Sequence, residues 1–422
     1  MTTHDDRQSP LPVHEAWLPR EHPLYRPRHG RKQVIALVCA GLFFLSPLLT
    51  FAAGARVTEF ENRALTAFPS LAQGWGFFTQ LNPWATDHLV FREDAIHAAD
   101  GISRSVFGEP PPQDTTGSAD TIPLDPSHQA PPPAEFPRVL EGNDGWMYLG
   151  DEISSHCEPV QPLDTTFAQL DRLRAGIEAT GRKFVVVVAP DKATVVPDHL
   201  PDDYAGKDCH QAGIQDFWRR IDQVDYTVDL RAGLRDWGAQ LGKPVYGPLD
   251  AHWSDEGGVL MARALAEKLR HGISTTWRVE PGQPWTQPAD LPPLIGKSGE
   301  TTGRSYQVLP DGERNQVHPT STDFSTPLHL NTTSGPGTYG LGVGLLSDSF
   351  TIRALPYLAA AFGDLTVLHH NAVEADQGRL AGQVLKQKSV VVLEVAERSL
   401  ARGTVPVLSP AVVDNILKGL AP

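Results

Sequence analysis

The chain has 422 residues, 40% hydrophobic and 20% charged, a globular balance that excludes disorder of the whole molecule. Its net charge of −14 argues against a nucleic-acid surface, because neutralising phosphates requires clusters of Lys and Arg. Beyond the first 32 residues the sequence has no such cluster. No CxxC pair, zinc pattern, phosphate loop or dinucleotide fingerprint stands out, so we expect neither a metal nor a cofactor.

The N-terminal region predicts a membrane anchor. Residues 1–32 are polar and rich in Pro and Arg, which is typical of a disordered tail. Residues 33–53 contain no charge and are about long enough to cross a bilayer core of roughly 30 Å. The basic residues before this stretch predict a cytoplasmic N-terminus and place the rest of the chain outside. A signal peptide cleaved near Ala53-Gly54-Ala55 is an alternative, but its n-region would be long, and we favour a retained single-pass anchor.

The next boundaries follow from composition. Residues 54–108 read as a helical juxtamembrane segment, and residues 109–137 contain two PPP runs typical of a linker. A folded domain is expected at 138–422. Within it, residues 272–340 lose periodicity and are rich in Pro, Gly, Thr and Ser, so we interpret them as an irregular insertion.

Beyond the linker, strand patterns alternate with helical patterns. The strands are expected at 146–148, 183–189, 225–230, 341–346, 365–369 and 389–395; the helices are expected at 164–181, before Leu241, at 255–269, 351–362, 374–386 and 410–420. Continuous β-branched runs such as KFVVVVA are typical of strands buried on both faces. The alternation therefore predicts an α/β domain of three layers with a mostly parallel sheet.

Ser349 follows one of these strands and precedes a helix, which would expose its hydroxyl at the sheet's carboxyl edge. A serine nucleophile needs a base, and the base needs an orienting carboxylate. His252 and Asp250, in a loop before a helix capped by Ser254, suit these roles. The alternative is that Asp250 caps a turn, His252 is a core histidine and Ser349 caps the next helix.

Other polar residues also lie at strand ends. Lys192, Asn371 and Arg398 are candidates for substrate binding, and Trp253 is a candidate for stacking on a sugar. Each has a structural alternative: Lys192 as a solvated charge, Asn371 as a turn former, Arg398 as a surface partner of Glu394 and Trp253 as a core residue. If the domain is exported, Cys157 and Cys209 would form a disulfide; otherwise they are free thiols.

Several short motifs occur in a recognisable order. They are Glu61-Asn62-Arg63-Ala64-Leu65 with Phe68-Pro69, Gly145-Trp146-Met147-Tyr148-Leu149-Gly150, Pro190-Asp191-Lys192, Asp250-Ala251-His252-Trp253 and Ser347-Asp348-Ser349-Phe350. In this order they resemble the SGNH-hydrolase-like proteins of the alginate and exopolysaccharide O-acetyltransferase family. The resemblance spans roughly residue 57 onward.

The resemblance implies a three-layer SGNH-hydrolase-like domain in which Ser349 is the nucleophile, His252 the base and Asp250 the orienting acid. It implies acetyl transfer to a polysaccharide outside the membrane, with the acetyl group delivered by a separate membrane protein. The Ser349 N–H, with Asn371 as a further candidate, would stabilise the oxyanion. Ser347 replaces the family's usual glycine, so a positive φ there would be strained. A cell-surface carbohydrate esterase and a non-catalytic polysaccharide-binding protein remain alternatives.

Overall fold

The computed structural model describes residues 34–41, 68–69 and 136–421, together with Leu45, Thr50, Phe77, Leu81 and Trp84. Residues 34–41 are helical. The rest of the expected anchor at 33–53 lies largely outside the described residues, as do the tail at 1–32 and most of the segments at 54–108 and 109–137. Among the residues described, no helix has both the length and the apolar character that crossing a bilayer requires.

The chain divides into two compact units, Met1–Thr58 with Leu65–Arg92, and Glu59–Ala64 with Glu93–Pro422. All elements below belong to the second unit. The described strands are β1 (Val139–Glu141), β2 (Met147–Leu149), β3 (Lys183–Ala189), β4 (Thr227–Asp229), β5 (Arg278–Pro288), β6 (Glu300–Leu309), β7 (Leu328–Asn331), β8 (Val343–Ser347), β9 (Asp364–His369) and β10 (Val390–Ala396). The described α-helices of this unit are α1 (Gly150–Cys157), α2 (Leu163–Glu178), α3 (Lys192–Val195), α4 (Lys207–Ile221), α5 (Arg231–Leu241), α6 (Asp255–Leu269), α7 (Thr351–Ala361), α8 (His370–Ala375), α9 (Arg379–Leu385), α10 (Glu397–Arg402) and α11 (Pro410–Leu420).

The central sheet has the strand order β4-β3-β10-β8-β9-β7. Strands β4, β3, β10, β8 and β9 run parallel, and only the edge strand β7 is antiparallel, to β9. Helical segments connect the parallel strands, as crossover connections require. The mostly parallel α/β sheet expected from the sequence is confirmed.

Both faces of this sheet are buried. Successive residues of a strand point to opposite sides, so each strand contributes alternate residues to two cores. In β3, Val185 and Val187 contribute to one hydrophobic core, and Phe184 and Val186 contribute to the other. Helices α5, α6 and α7 cover the first face, and α2, α4, α9 and α11 cover the second. This double burial explains the continuous β-branched run of β3, which an amphipathic strand would not need.

The 272–340 segment is more ordered than the irregular insertion we expected. Its two long strands, β5 and β6, form an antiparallel hairpin with a register irregularity between Pro281 and Pro284, and β7 joins the edge of the main sheet. Proline is tolerated in a two-stranded hairpin because an outward-facing edge needs no N–H donor. The high proline content therefore hid a strand pattern.

The single helix expected at 374–386 is wrong, because two helices, α8 and α9, occupy this segment. Gln377 and Gly378 lie between them with φ values of 57° and 82°, a left-handed conformation that interrupts a right-handed helix. The predicted helices at 351–362 and 410–420 are confirmed within one residue by α7 and α11.

Candidate active site

The His252 loop connects α5 to α6 and is held at both ends. Tyr246 and Trp253 form an isolated β-bridge across it, and the Ser254 hydroxyl donates to the Val245 carbonyl oxygen over 2.8 Å. The Trp253 side chain is 1% exposed, and its indole N–H donates to the Phe350 carbonyl oxygen over 3.1 Å. The histidine loop is therefore tied directly to the loop that carries Ser349.

The Ser349 turn follows β8 and is held by two acidic side chains. Asp348 accepts hydrogen bonds from the Phe350 N–H over 3.0 Å and the Ala396 N–H over 2.8 Å. Glu394 accepts from the Asp348 N–H over 3.1 Å, and from a buried threonine of α7. Burial raises the pKa of the Glu394 carboxyl well above its usual range, and the nearby Asp348 charge acts in the same direction.

Ser347 carries no backbone strain in this turn. It is the last residue of β8, opposite His369 of β9, and it is not among the described non-glycine residues with positive φ, which are Asp144 and Gln377. The conformation that would have demanded glycine is therefore absent at this position. The Ser347 hydroxyl oxygen is buried and has no hydrogen-bond partner among the residues that the structure describes.

The structure brings Ser349, His252 and Asp250 together. The His252 Nε2 atom lies 2.9 Å from Ser349 Oγ, which is hydrogen-bond distance. On the other side of the ring, Nδ1 lies 3.3 Å from Asp250 Oδ1 and 2.9 Å from Asp290 Oδ2. The imidazole thus bridges the serine hydroxyl and two carboxylates, an arrangement suited to general-base activation of an alcohol.

His252, Asp250 and Asp290 shift one another's pKa values. Burial alone would lower the pKa of His252, but its hydrogen bonds and charge contacts with Asp250 and Asp290 outweigh burial and raise it to about 9. Burial opposes ionisation of Asp250, yet the hydrogen bonds from His252 keep its pKa below the usual value. Burial keeps the pKa of Asp290 above its usual value despite the same imidazole. The two carboxylates beside Nδ1 therefore favour the positively charged imidazole.

Lys192 is not a solvated charge. Its side chain is fully buried, and its ammonium donates to the carbonyl oxygens of Gly247, Pro248 and Asp250 over 3.2, 3.1 and 2.9 Å. Burial lowers its pKa to about 8, while the Glu152, Asp290 and Asp250 charges oppose that shift. Lys192 thus stabilises the histidine loop, and its ammonium binds protein carbonyl oxygens and not a substrate.

Arg398 and Asn371 occupy different environments. The Arg398 guanidinium pairs with the buried carboxylate of Asp191 over 2.6 Å, not with Glu394, and lies 5.2 Å from the centre of the Phe350 ring. Asn371 is exposed in the first turn of α8, where its backbone N–H donates to His369 Nδ1 over 3.1 Å. Within the described chain, no hydrogen bond connects the Asn371 side chain to Ser349.

Trp253 is a buried part of the site, where it packs edge-on against Phe350, and not an exposed platform for a sugar ring.

The two cysteines are joined in the structure. Cys157 at the end of α1 and Cys209 in α4 form a disulfide with their Cα atoms 5.3 Å apart, within the usual range.

Asp290 is the site residue that the sequence interpretation missed. It follows β5 inside the segment expected to be irregular, 38 residues from His252. No local spacing relates it to the Asp-x-His-Trp motif, and only its position after a strand in a Pro-rich segment marked it. Its side chain is 17% exposed.

One group of described residues has a donor set for a metal ion: Asp250, His252 and Asp290, whose ligand atoms lie within 4.8 Å of one another. The donor types, two carboxylates and one imidazole, are those that zinc accepts. A cation there would have to displace the Nδ1 proton, whose hydrogen bonds both carboxylates accept. The group is fully accounted for by these hydrogen bonds.

Helices cover both faces of the sheet, and the serine and the histidine lie at its carboxyl edge, an arrangement similar to that of SGNH hydrolase-like α/β domains. The resemblance drawn from the motifs is confirmed, because residues 139–323 match the model of a family described as the SGNH hydrolase-like domain of acetyltransferase AlgX. The match covers both Asp250 and His252 and ends before Ser349.

Curated proteins that are similar to part of this chain carry a related description. The probable alginate O-acetylase AlgJ of Pseudomonas fluorescens is 29% identical over 136 residues, covering 32% of this chain and 34% of the relative. The protein of the same name from Pseudomonas aeruginosa is 30% identical over 139 residues, covering 32% and 34%. The matched part spans about a third of the length of these relatives.

Among solved structures, partial similarity is found to the O-acetyltransferase domain of Pseudomonas putida AlgJ, with 18% identity, a TM-score of 0.43 and coverage of 62% of this chain and 92% of that one. Bacillus cereus PatB1 with a sulfonyl adduct has 12% identity, a TM-score of 0.43 and coverage of 63% and 98%.

Proposed function

We propose that this chain is a membrane-anchored, extracytoplasmic O-acetyltransferase that moves an acetyl group to a polysaccharide hydroxyl through an acyl-Ser349 intermediate. The observation that carries the proposal is the 2.9 Å contact between His252 Nε2 and Ser349 Oγ, backed by carboxylates at Nδ1. The relatives named alginate O-acetylases support an exopolysaccharide such as alginate as the acceptor.

The first half-reaction acylates the serine. His252 Nε2 takes the Ser349 hydroxyl proton as Oγ bonds to the acetyl carbonyl carbon. When the tetrahedral intermediate collapses, the bond to the donor's leaving group breaks, and His252 returns the proton to that group. This step needs a neutral imidazole, whereas the carboxylates favour the charged form, so alkaline conditions should favour acylation.

The second half-reaction transfers the acetyl group. A sugar hydroxyl loses its proton to His252 as its oxygen attacks the acyl carbon, and Ser349 leaves with that proton. The Ser349 N–H makes no backbone hydrogen bond within the described chain, which leaves it available to the developing oxyanion. Water could replace the sugar with the same residues, so acceptor access separates a transferase from an esterase.

The membrane and partner parts of the proposal rest on the N-terminal sequence and on the disulfide. The uncharged stretch at 33–53 after a basic segment supports a single-pass anchor with the domain outside. A disulfide between Cys157 and Cys209 suits an oxidising compartment. Because acetyl carriers in the cytoplasm cannot reach such a domain, a separate membrane protein would deliver the acetyl group.

The test uses the full chain in detergent with a soluble acetyl ester as donor, with and without an oligosaccharide acceptor. We expect mass spectrometry to find acetyl on the Ser349 peptide and then on the sugar, and Ser349→Ala to abolish both. Ser321→Ala, an exposed serine of the insertion, should change neither. Turnover that the sugar does not alter, with acetate as the product, would indicate an esterase. Intact turnover by Ser349→Ala would exclude the acyl-serine route.

A further inference from the structure

The two carboxylates beside His252 are held in different ways. Asp250 uses a single oxygen, Oδ1, to accept from the His252 backbone N–H over 3.0 Å and to approach Nδ1 at 3.3 Å. A contact between a side chain and the N–H two residues later is the usual way an aspartate shapes a turn. The shorter and undivided contact to the ring is made by Asp290.

Asp290 uses its two oxygens separately. Oδ2 lies 2.9 Å from His252 Nδ1, while Oδ1 accepts from the Ala251 N–H over 2.9 Å. The carboxylate is therefore oriented by one donor from the loop backbone and one from the imidazole. Both are within the range of a well-formed hydrogen bond, whereas 3.3 Å lies just beyond it.

The backbone around Asp290 is also anchored. The Ala289 N–H donates to the Gly299 carbonyl oxygen over 3.0 Å, which closes the connection between β5 and β6 just beyond the last strand pair. The Leu291 N–H donates to the Leu249 carbonyl oxygen over 3.2 Å, directly beside Asp250. Leu291 is 1% exposed and packs in a small core with Ala251. Asp290 is thus fixed on both sides by groups that belong to the hairpin and to the histidine loop.

We infer that Asp290 is the carboxylate that orients the His252 imidazole for proton transfer, and that Asp250 chiefly shapes the loop and shares the charge. This inference rests on the proposed function, because it assigns a positioning residue to the same serine and histidine. Its consequence is that the hairpin of the insertion, and not the Asp-x-His-Trp motif alone, completes the site.

The charged groups that face the imidazole are few. Asp250 and Asp290 flank Nδ1, and the Lys192 ammonium lies behind the loop on the Asp250 carbonyl oxygen. Either carboxylate favours the protonated ring, and together they hold the pKa of His252 at about 9. Removing the charge of one should move the midpoint of His252 titration to lower pH.

The experiment compares Asp290→Asn, Asp250→Asn and the double variant in the full chain. Asparagine keeps an oxygen for the Ala251 N–H, so the loop contact survives while the charge is lost. Glu300→Gln, an exposed charge in the same hairpin, is the matched control. One readout is kcat/KM for a soluble acetyl ester across pH 6–10; the other is the titration of His252 by NMR with labelled histidine, assigned by difference from His252→Gln.

We expect Asp290→Asn to lower kcat/KM about 100-fold, more than Asp250→Asn does, since an imidazole held in the wrong tautomer is a poor base. It should also shift the rising limb and the NMR midpoint to lower pH, and Asp290→Glu should restore part of the rate. The inference would be overturned if Asp290→Asn kept the wild-type kcat/KM and His252 midpoint, while Asp250→Asn lowered kcat/KM and shifted the midpoint to lower pH.

The NMR readout separates the two proposals. A wild-type chain that acetylates no serine, yet whose His252 midpoint falls in Asp290→Asn, would refute the proposed function and retain the Asp290–His252 coupling. If Asp290→Asn does not fold, Asp290→Glu supplies the same titration with the charge moved. Activity that EDTA abolishes and Zn²⁺ restores would make Asp290 a metal ligand and would end the inference.

Discussion

The indole N–H of Trp253 donates to the carbonyl oxygen of Phe350 over 3.1 Å, which joins the residue after the base to the residue after the nucleophile. The two residues are 97 positions apart in the chain, and both side chains are buried. This hydrogen bond and the edge-on contact between the two rings connect the His252 loop to the Ser349 loop. We therefore expect the 2.9 Å distance between His252 Nε2 and Ser349 Oγ to depend on this hydrogen bond.

Replacing Trp253 with Phe should weaken the connection between the His252 loop and the Ser349 loop. The variant keeps an aromatic ring but leaves a buried carbonyl without its donor, which costs about 1–3 kcal/mol of the free energy of unfolding. We also expect slower acylation of Ser349, because small displacements between a base and a nucleophile are costly. Urea unfolding and the rate of acetyl incorporation measure the two effects.

Trp277→Phe is the matched control for this change. Its buried indole N–H donates to the Gly337 carbonyl oxygen over 2.8 Å, within the insertion. We expect a similar loss of stability without a change in acylation. Equal acylation by both variants would show that the Trp253 hydrogen bond has no part in positioning the site.

Lys192→Met should disorder the histidine loop from below. Methionine has a similar length and tolerates burial, but it offers no donors to the carbonyl oxygens of Gly247, Pro248 and Asp250. We expect kcat/KM to fall at least about 10-fold, because the loop carries the base. Lys418→Met, at an exposed position, should leave turnover as it is. A fully active Lys192→Met would mean that the loop holds its shape without the ammonium.

Gly258→Ala should push α6 away from α7. A Cβ at this position would overlap the Arg353 carbonyl oxygen, which is backbone and cannot rotate away. Overpacking of this kind costs about 1–3 kcal/mol. Since α6 follows His252 and α7 follows Ser349, acylation should slow as well. Gly335→Ala, which meets open space, is the control; an unchanged melting temperature for Gly258→Ala would contradict the close packing.

Removing the disulfide should destabilise the domain. Cys157 and Cys209 are 52 residues apart, and closing a loop of that length stabilises a fold by about 4 kcal/mol in the chain-entropy model. We expect Cys157→Ser with Cys209→Ser to lower the urea midpoint, and a reductant to do so in the wild type. Cys39→Ser should have no such effect, since Cys39 is free. Insensitivity of the wild type to reductant would argue that the bridge does not form in the protein.

Activity and stability should respond to pH in opposite directions. The pKa of His252 is raised from 6.5 to about 9 in the folded protein, so its contribution to stability is complete below pH 6.5 and is lost as the pH rises through about 9. The neutral base appears over the same range, so kcat/KM should rise towards pH 9. Unfolding of wild type and His252→Gln between pH 6 and 10 measures the first effect. A rising limb near pH 6.5 would show that the carboxylates do not hold the proton.

Local pattern was enough for the elements that border the site. The β-branched run at 183–189 and the apolar run before Ser349 became β3 and β8, because a strand buried on both faces needs apolar residues at every position. Local sequence left the roles of Asp250, His252 and Ser349 open, and the order of the motifs along the chain, which resembles that of a known family, singled them out. The helix expected across 374–386 was wrong because one non-glycine residue, Gln377, takes a left-handed conformation that its sequence does not reveal.

The long-range contacts were decided by the tertiary structure alone. Lys192 was open to interpretation as a solvated charge, yet the fold buries it against three carbonyl oxygens. Asp290 lay in a segment whose prolines masked a hairpin, and only that hairpin carries its carboxylate to His252. Sequence periodicity determines which residues face a core, because burial of apolar surface depends on spacing along one element. Which charges meet depends on how separate elements pack, and that is a property of the folded chain.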